Sequence, residues 1–111
     1  MIKRATRKKS GSRSVDARTW LDREHGPLTF GRAMNGIRSV EGATLAQFAK
    51  RLGVSAQHLG DVEKDRRAVS TERAAEWARR LGHPPAVLVR LVLQREVDAA
   101  GLKLRVRVEA A

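Results

Sequence analysis

The chain contains no cysteine, so neither a disulfide nor a thiolate metal ligand contributes to it, and the composition fits a reducing compartment. It has no tyrosine, only two phenylalanines and two tryptophans, so its core must be mostly aliphatic. Its three histidines, His25, His58 and His83, are scattered without zinc-ligand spacing. Gly-rich phosphate loop, nucleophile elbow and paired-carboxylate cluster are all missing from the sequence. The expectation is therefore a protein that is not an enzyme and uses no cofactor and no metal. Long apolar runs are missing too. The longest is "AVLV" at 86–89, against the roughly 20 residues that a membrane helix needs. Met1 leads into charge rather than an apolar stretch, so no signal peptide is expected. A cytoplasmic, nucleoid-associated protein follows as the expectation.

Acidic residues are in short supply: 12 stand against 23 lysines and arginines, a formal charge of +11 in 111 residues. So lopsided a balance predicts an anionic partner, with nucleic acid the commonest. Residues 1–13, "MIKRATRKKSGSR", hold six basic residues and no acid. They cannot bury enough apolar surface to fold alone and are expected to form a flexible basic arm. A short helix is expected after Ser14, ended by Gly26-Pro27. Residues 1–28 thus form one unit, 29–100 a helical domain and 101–111 a tail.

From Thr29 the helical period is clear. Phe30, Ala33, Met34 and Ile37 share one face of a first helix, ended by Gly42. Thr44 with Gln47 forms a capping box for a second helix, whose buried stripe is Leu45, Phe48, Ala49 and Leu52. Gly53 offers the left-handed turn, and Ser55 caps a third helix. Ser70 caps a fourth, burying Ala74, Trp77, Ala78 and Leu81. Pro84-Pro85 opens a fifth. That last helix is apolar nearly all round, so one side is expected to meet a second chain through Leu88, Leu91 and Val92. Beyond Gly101 the period changes to 2: Leu102, Leu104, Val106 and Val108 alternate with Lys103, Arg105, Arg107 and Glu109. A single β-strand is predicted there, pairing through its ladder with a symmetry mate or another protein, with Leu104 and Val106 in the dimer interface.

The segment "TLAQFAKRLGVSAQHLGDVEKDRR" satisfies each packing position of two helices crossing at a steep angle: small Ala49, turn residue Gly53, and Phe48, Leu52, Val54, Leu59 and Val62 between them. Residues 29–82 resemble the lambda-repressor-like, Xre-type helix-turn-helix domain of phage repressors and of antitoxins in bacterial toxin–antitoxin pairs. The resemblance covers about half the chain and implies an all-α, five-helix fold. The family usually shows Glu-Asn-Gly-Lys-Arg after the third helix. Here "EKDRR" keeps Glu63, replaces asparagine with Lys64 and places Asp65 at the glycine position. The resemblance implies an ion pair between Glu63 and Arg38. It also places glutamine where Leu45 stands, so one usual phosphate contact is missing.

A recognition helix of this kind enters the major groove by its N-terminal residues. The expected base-contacting positions are Ala56, Gln57, His58, Gly60 and Asp61, with Gln57 suited to a paired contact with adenine. Thr44, Ser55, Lys64, Arg66 and Arg67 are the expected phosphate contacts. The resulting expectation is a homodimeric repressor on a palindromic double-stranded operator. It narrows to an autoregulatory antitoxin with a small protein toxin as partner, because a dimer-forming helix and a strand follow the helix-turn-helix rather than a ligand-sensing domain. Two alternatives stay open: a protein-interaction module that no longer reads DNA, and a nonspecific nucleoid-type protein acting through the arm.

Overall fold

The computed structural model describes residues 28–111. The expectations for the basic arm and for the helix after Ser14 lie outside the described residues. Five helices follow in order: α1 (Phe30–Glu41), α2 (Leu45–Leu52), α3 (Ala56–Glu63), α4 (Thr71–Leu81) and α5 (Pro85–Ala99). Each of the first four begins at a hydroxyl side chain that accepts a hydrogen bond from the backbone three residues on: Thr29, Thr44, Ser55 and Ser70. Such a cap satisfies one of the orphan donors of the first turn. At Thr44 the box closes in both directions, since the Gln47 side chain accepts from the Thr44 amide at 2.9 Å. α1, α2 and α4 end on glycines with φ near 70–75°, the left-handed region that lets the last carbonyls be satisfied.

The helices enclose one core. Trp77, Phe48, Met34, Leu59, Leu88 and Val62 are its largest fully buried side chains. The Phe30 and Trp77 rings lie 6.2 Å apart, within the range of favourable aromatic contact. Leu45, Val54, Ala33 and Ile37 pack at its edge. α3 packs against both α1 and α2, and α5 lies along α4 and touches α1.

That arrangement corrects the expectation for α5. Leu88, Leu91 and Val92, predicted as dimer contacts, are 1%, 3% and 5% exposed within this one chain. The elements thought too few to cover α5 do cover it: α4 and α1 close over this face. Val87 on the same helix stays exposed. The predicted strand is not formed within the single chain. No residue among those described forms a strand, and residues 102–111 carry no regular secondary structure. A ladder needs a second strand, and the described residues supply none. Leu104 is exposed and Val106 half-buried.

One glycine is held by sterics. A Cβ on Gly31 would sit 2.3 Å from the Val62 carbonyl oxygen and 2.9 Å from that of Glu63. Backbone atoms of α3 cannot swing aside as a side chain can, so Gly31 sets how closely α1 approaches the end of α3. Gly36, also within α1, has nothing within 4 Å of the same position. Gly31→Ala is therefore expected to lower the unfolding free energy by about 2–3 kcal/mol. Gly36→Ala should raise it by about 0.5–1 kcal/mol. Urea denaturation of the two variants beside the parent chain measures both.

Candidate nucleic-acid interface

α3 is short and mostly polar, so its position must come from its neighbours. Leu59 and Val62 turn inward and are fully buried. At about 100° per residue, the opposite stripe of the helix is Gln57, Gly60, Asp61 and Lys64. Glu63 lies on the flank facing α1, and His58 on the flank facing α4.

The Glu63 flank is locked. Its carboxylate accepts from Arg38 Nε at 2.8 Å, Arg38 Nη2 at 3.0 Å and Asn35 Nδ2 at 3.0 Å. Arg38 Nη1 also donates to the Ala43 carbonyl at 3.2 Å. The Glu63 side chain is only 6% exposed and that of Arg38 21%, so the fork-on-fork pair sits largely out of water. The hydrogen bonds to Glu63 raise the Arg38 pKa, against the lowering effect of burial. Charge-assisted, bidentate pairs of this kind are directional as well as strong. This one fixes α3 to α1 and, through Ala43, to the start of α2.

The loop after α3 is held as firmly. Asp65 adopts φ 60°, the one non-glycine in the left-handed region among the described residues. Its carboxylate accepts from Thr29 Oγ1 at 2.7 Å and from the Gly31 amide at 3.2 Å. A carboxylate at a helix N-terminus is favoured by the helix dipole, which offsets the strain of an aspartate held in the left-handed region. Arg95 of α5 donates to the Asp65 carbonyl at 3.2 Å. The backbone amides of Lys64, Asp65 and Arg66 donate to Gly60, Val62 and Asp61. Those three amides are spent internally, so the charge this part of the loop can offer a phosphate comes from side chains. Lys64, Arg66 and Arg67 are all exposed there.

The other predicted residues divide. Gln57 is exposed, and so are the capping residues Thr44 and Ser55. The Thr44 amide is taken by Gln47. The next two amides, of Leu45 and Ala46, and likewise those of Ala56 and Gln57, have no protein acceptor among the described residues. Those four donors, and not the caps themselves, give the two helix starts their affinity for anions. Ala56 and Asp61 are half-buried. Gly60 lies beside α2, where a Cβ would come to ordinary contact distance, 3.4 Å, of Leu45 Cδ2.

His58 is half-buried, with its ring 6.4 Å from that of Trp77. Burial, then the nearby charges of Arg67 and Arg73, lower its pKa; Asp61 opposes them. It leans towards the core edge more than towards solvent. Asn35, Asp65, Gly31 and Arg95 were not anticipated as parts of the site. A threonine cap two residues before a glycine, and an aspartate at a left-handed position, were the signals available for two of them.

Comparison with known proteins agrees with this geometry. Residues 41–88 match the helix-turn-helix family, a range that holds α2, α3, α4 and the start of α5. The fold is similar to that of the clp gene regulator ClgR from Corynebacterium glutamicum, with 28% identity and a TM-score of 0.50 over 65% of this chain and 77% of that one. No curated protein matches the chain. Among the described residues no group of His, Cys, Asp and Glu is placed to hold a metal, and no helix is long and apolar enough to cross a membrane.

The lowered pKa of His58 gives a signed prediction. The unfolded chain binds the proton more readily than the folded one, so the neutral ring's contribution is complete above the ordinary value of 6.5. It is lost as pH falls below that value towards the folded pKa. Thermal unfolding followed from pH 7.5 downwards should show His58→Gln losing less Tm on acidification than the parent chain.

Proposed function

We propose that this chain, which carries a helix-turn-helix domain, binds double-stranded DNA in a sequence-specific manner and acts as a transcriptional repressor. α3 is the reading element. One observation carries the proposal: the helix whose outer stripe begins with exposed Gln57 is clamped from behind by Arg38–Glu63, while open amides and exposed cations border it on both sides. An element that must hold a fixed angle in a groove about 12 Å wide needs that combination.

The roles separate by chemistry. Gln57 offers a donor and an acceptor in one plane, suited to adenine N6 and N7. The helix starts at Leu45 and Ala56 offer amides to phosphate. Lys64, Arg66 and Arg67 add charge that positions the domain without reading sequence. Asp61, on the outer stripe, is repelled by phosphate and accepts only from a donor such as the cytosine amino group, so it acts chiefly against wrong sequences. Two copies, each with α3 in one half-site of a palindrome, form the repressor. Occupying its own promoter, as an autoregulatory antitoxin would, is the narrower form of the proposal. A protein-interaction module is the second reading, favoured by that same Asp61 carboxylate facing outward.

Selection from random duplexes, with the chain's own promoter included, tests both readings. An enriched palindrome supports the repressor. No enrichment at low salt supports the interaction module. On the enriched site, Gln57→Ala should cost about 1–3 kcal/mol and relax preference at one base pair. Arg66→Ala should weaken every sequence alike and reduce the salt slope by about one. Competition binding at two salt concentrations distinguishes these outcomes.

A further inference from the structure

The segment after α5 runs back along that helix and is fastened to it by one side chain. Gln94 Nε2 donates to the Leu104 carbonyl and Gln94 Oε1 accepts from the Val106 amide, both at 2.8 Å. A side-chain amide that bridges the carbonyl of one residue and the N–H of the residue two further on makes the pair of bonds that one residue of a neighbouring parallel strand makes. It marks residues 104–106 as extended and assigns their edges. The even-numbered backbone groups face α5. Those of Lys103, Arg105, Arg107 and Glu109 face the other way, and no backbone group among the described residues bonds to them. Arg105, Arg107 and Glu109 are exposed, and none is in an ion pair among the described residues. Leu102 and Leu104 are exposed at 51% and 60%.

The geometry points to a second copy of this chain as the occupant of that edge, its own 105–109 segment lying antiparallel across a two-fold axis at Arg107. The charges select the partner and the register. Pairing two such edges requires odd residues to face odd residues. Centred on Arg105, the charged residues that face one another are all cations, Arg105 with Arg105 and Lys103 with Arg107; centred on Val106, Lys103 faces Glu109 twice but Arg105 also faces Arg107 twice. Centred on Arg107, Arg105 of each copy faces Glu109 of the other, twice, and only Arg107 faces its own kind. The same register sets Val106 beside Val108 on the apolar face, in the closer, non-hydrogen-bonded pairs. The open edge points away from α5, so the second strand docks without displacing the Gln94 clamp. This deepens the two-fold repressor reading, supplying the pairing of copies on which that reading rests. It relocates the interface from α5, whose apolar face is spent inside the chain, to the tail.

Sedimentation of the full chain without DNA tests the pairing apart from any DNA reading. The parent chain should be dimeric. Arg107→Pro removes an amide from the central pair of ladder bonds and should weaken the dimer at least tenfold, whereas Arg107→Ala, which keeps the amide, should not. Arg105→Glu and Glu109→Arg should each weaken it several-fold, and the two together should restore it to within about twofold, since opposite charges again face one another. A monomeric parent chain, a dimer indifferent to Arg107→Pro, or charge reversals that do not rescue each other would overturn the inference. If the dimer behaves as stated but selects no DNA sequence, the pairing stands and the repressor reading falls.

Discussion

The structure depends on the clamp between Arg38 and Glu63. α3 has only two fully buried side chains, Leu59 and Val62. By apolar contact alone so short a helix would be weakly placed, because a turn or two of helix gains little from its own hydrogen bonds. The carboxylate at its C-terminal end instead receives three hydrogen bonds from α1. Net stabilisation from such a pair is modest, since both charges surrender water. What it contributes is orientation: a forked donor on a forked acceptor defines both the distance and the rotation of α3 against α1.

Around this clamp the remaining contacts serve one end. Gly31 lets the start of α1 touch the end of α3, where any side chain would collide with the Val62 carbonyl. Asp65 then closes the loop by capping α1, and Arg95 of α5 secures the Asp65 carbonyl. Arg80 of α4 donates to the Arg51 carbonyl at the C-terminus of α2, at 3.2 Å. Each helix therefore has a polar tie to the helix-turn-helix as well as an apolar share of the core. The outward stripe of α3 carries little of the packing, with only Gly60 beside a neighbouring side chain, Leu45. Gln57 makes no contact that the fold needs, which leaves it available to a ligand.

Much of this was legible in the residues. Helix starts at Thr44, Ser55 and Ser70 and ends at Gly42, Gly53 and Gly82 follow from local chemistry, which tertiary packing does not override. The buried stripes of α2 and α4 followed from periodicity. Less legible was anything that depends on distance in space. An apolar α5 reads alike whether its cover comes from the same chain or another, and here α4 and α1 provide it. His58 and Gly60 occupy positions that helical periodicity assigns to the outer side, but the neighbouring Trp77 and Leu45 reach them. Alternation over residues 102–109 is as strict as in any strand, yet a strand is a relation between two segments, and the described residues hold only one.

The central claim is that a braced α3 presents its N-terminal outer stripe to the duplex. Amide chemical shifts followed by NMR during titration with the selected duplex test it most directly. The account predicts that the largest changes fall on residues 44–46, 55–61 and 64–67, with the buried face of α5 unmoved and the Arg38 side-chain Nε–H signal retained throughout. Changes concentrated on α5 or the tail, with residues 55–61 undisturbed, would contradict it.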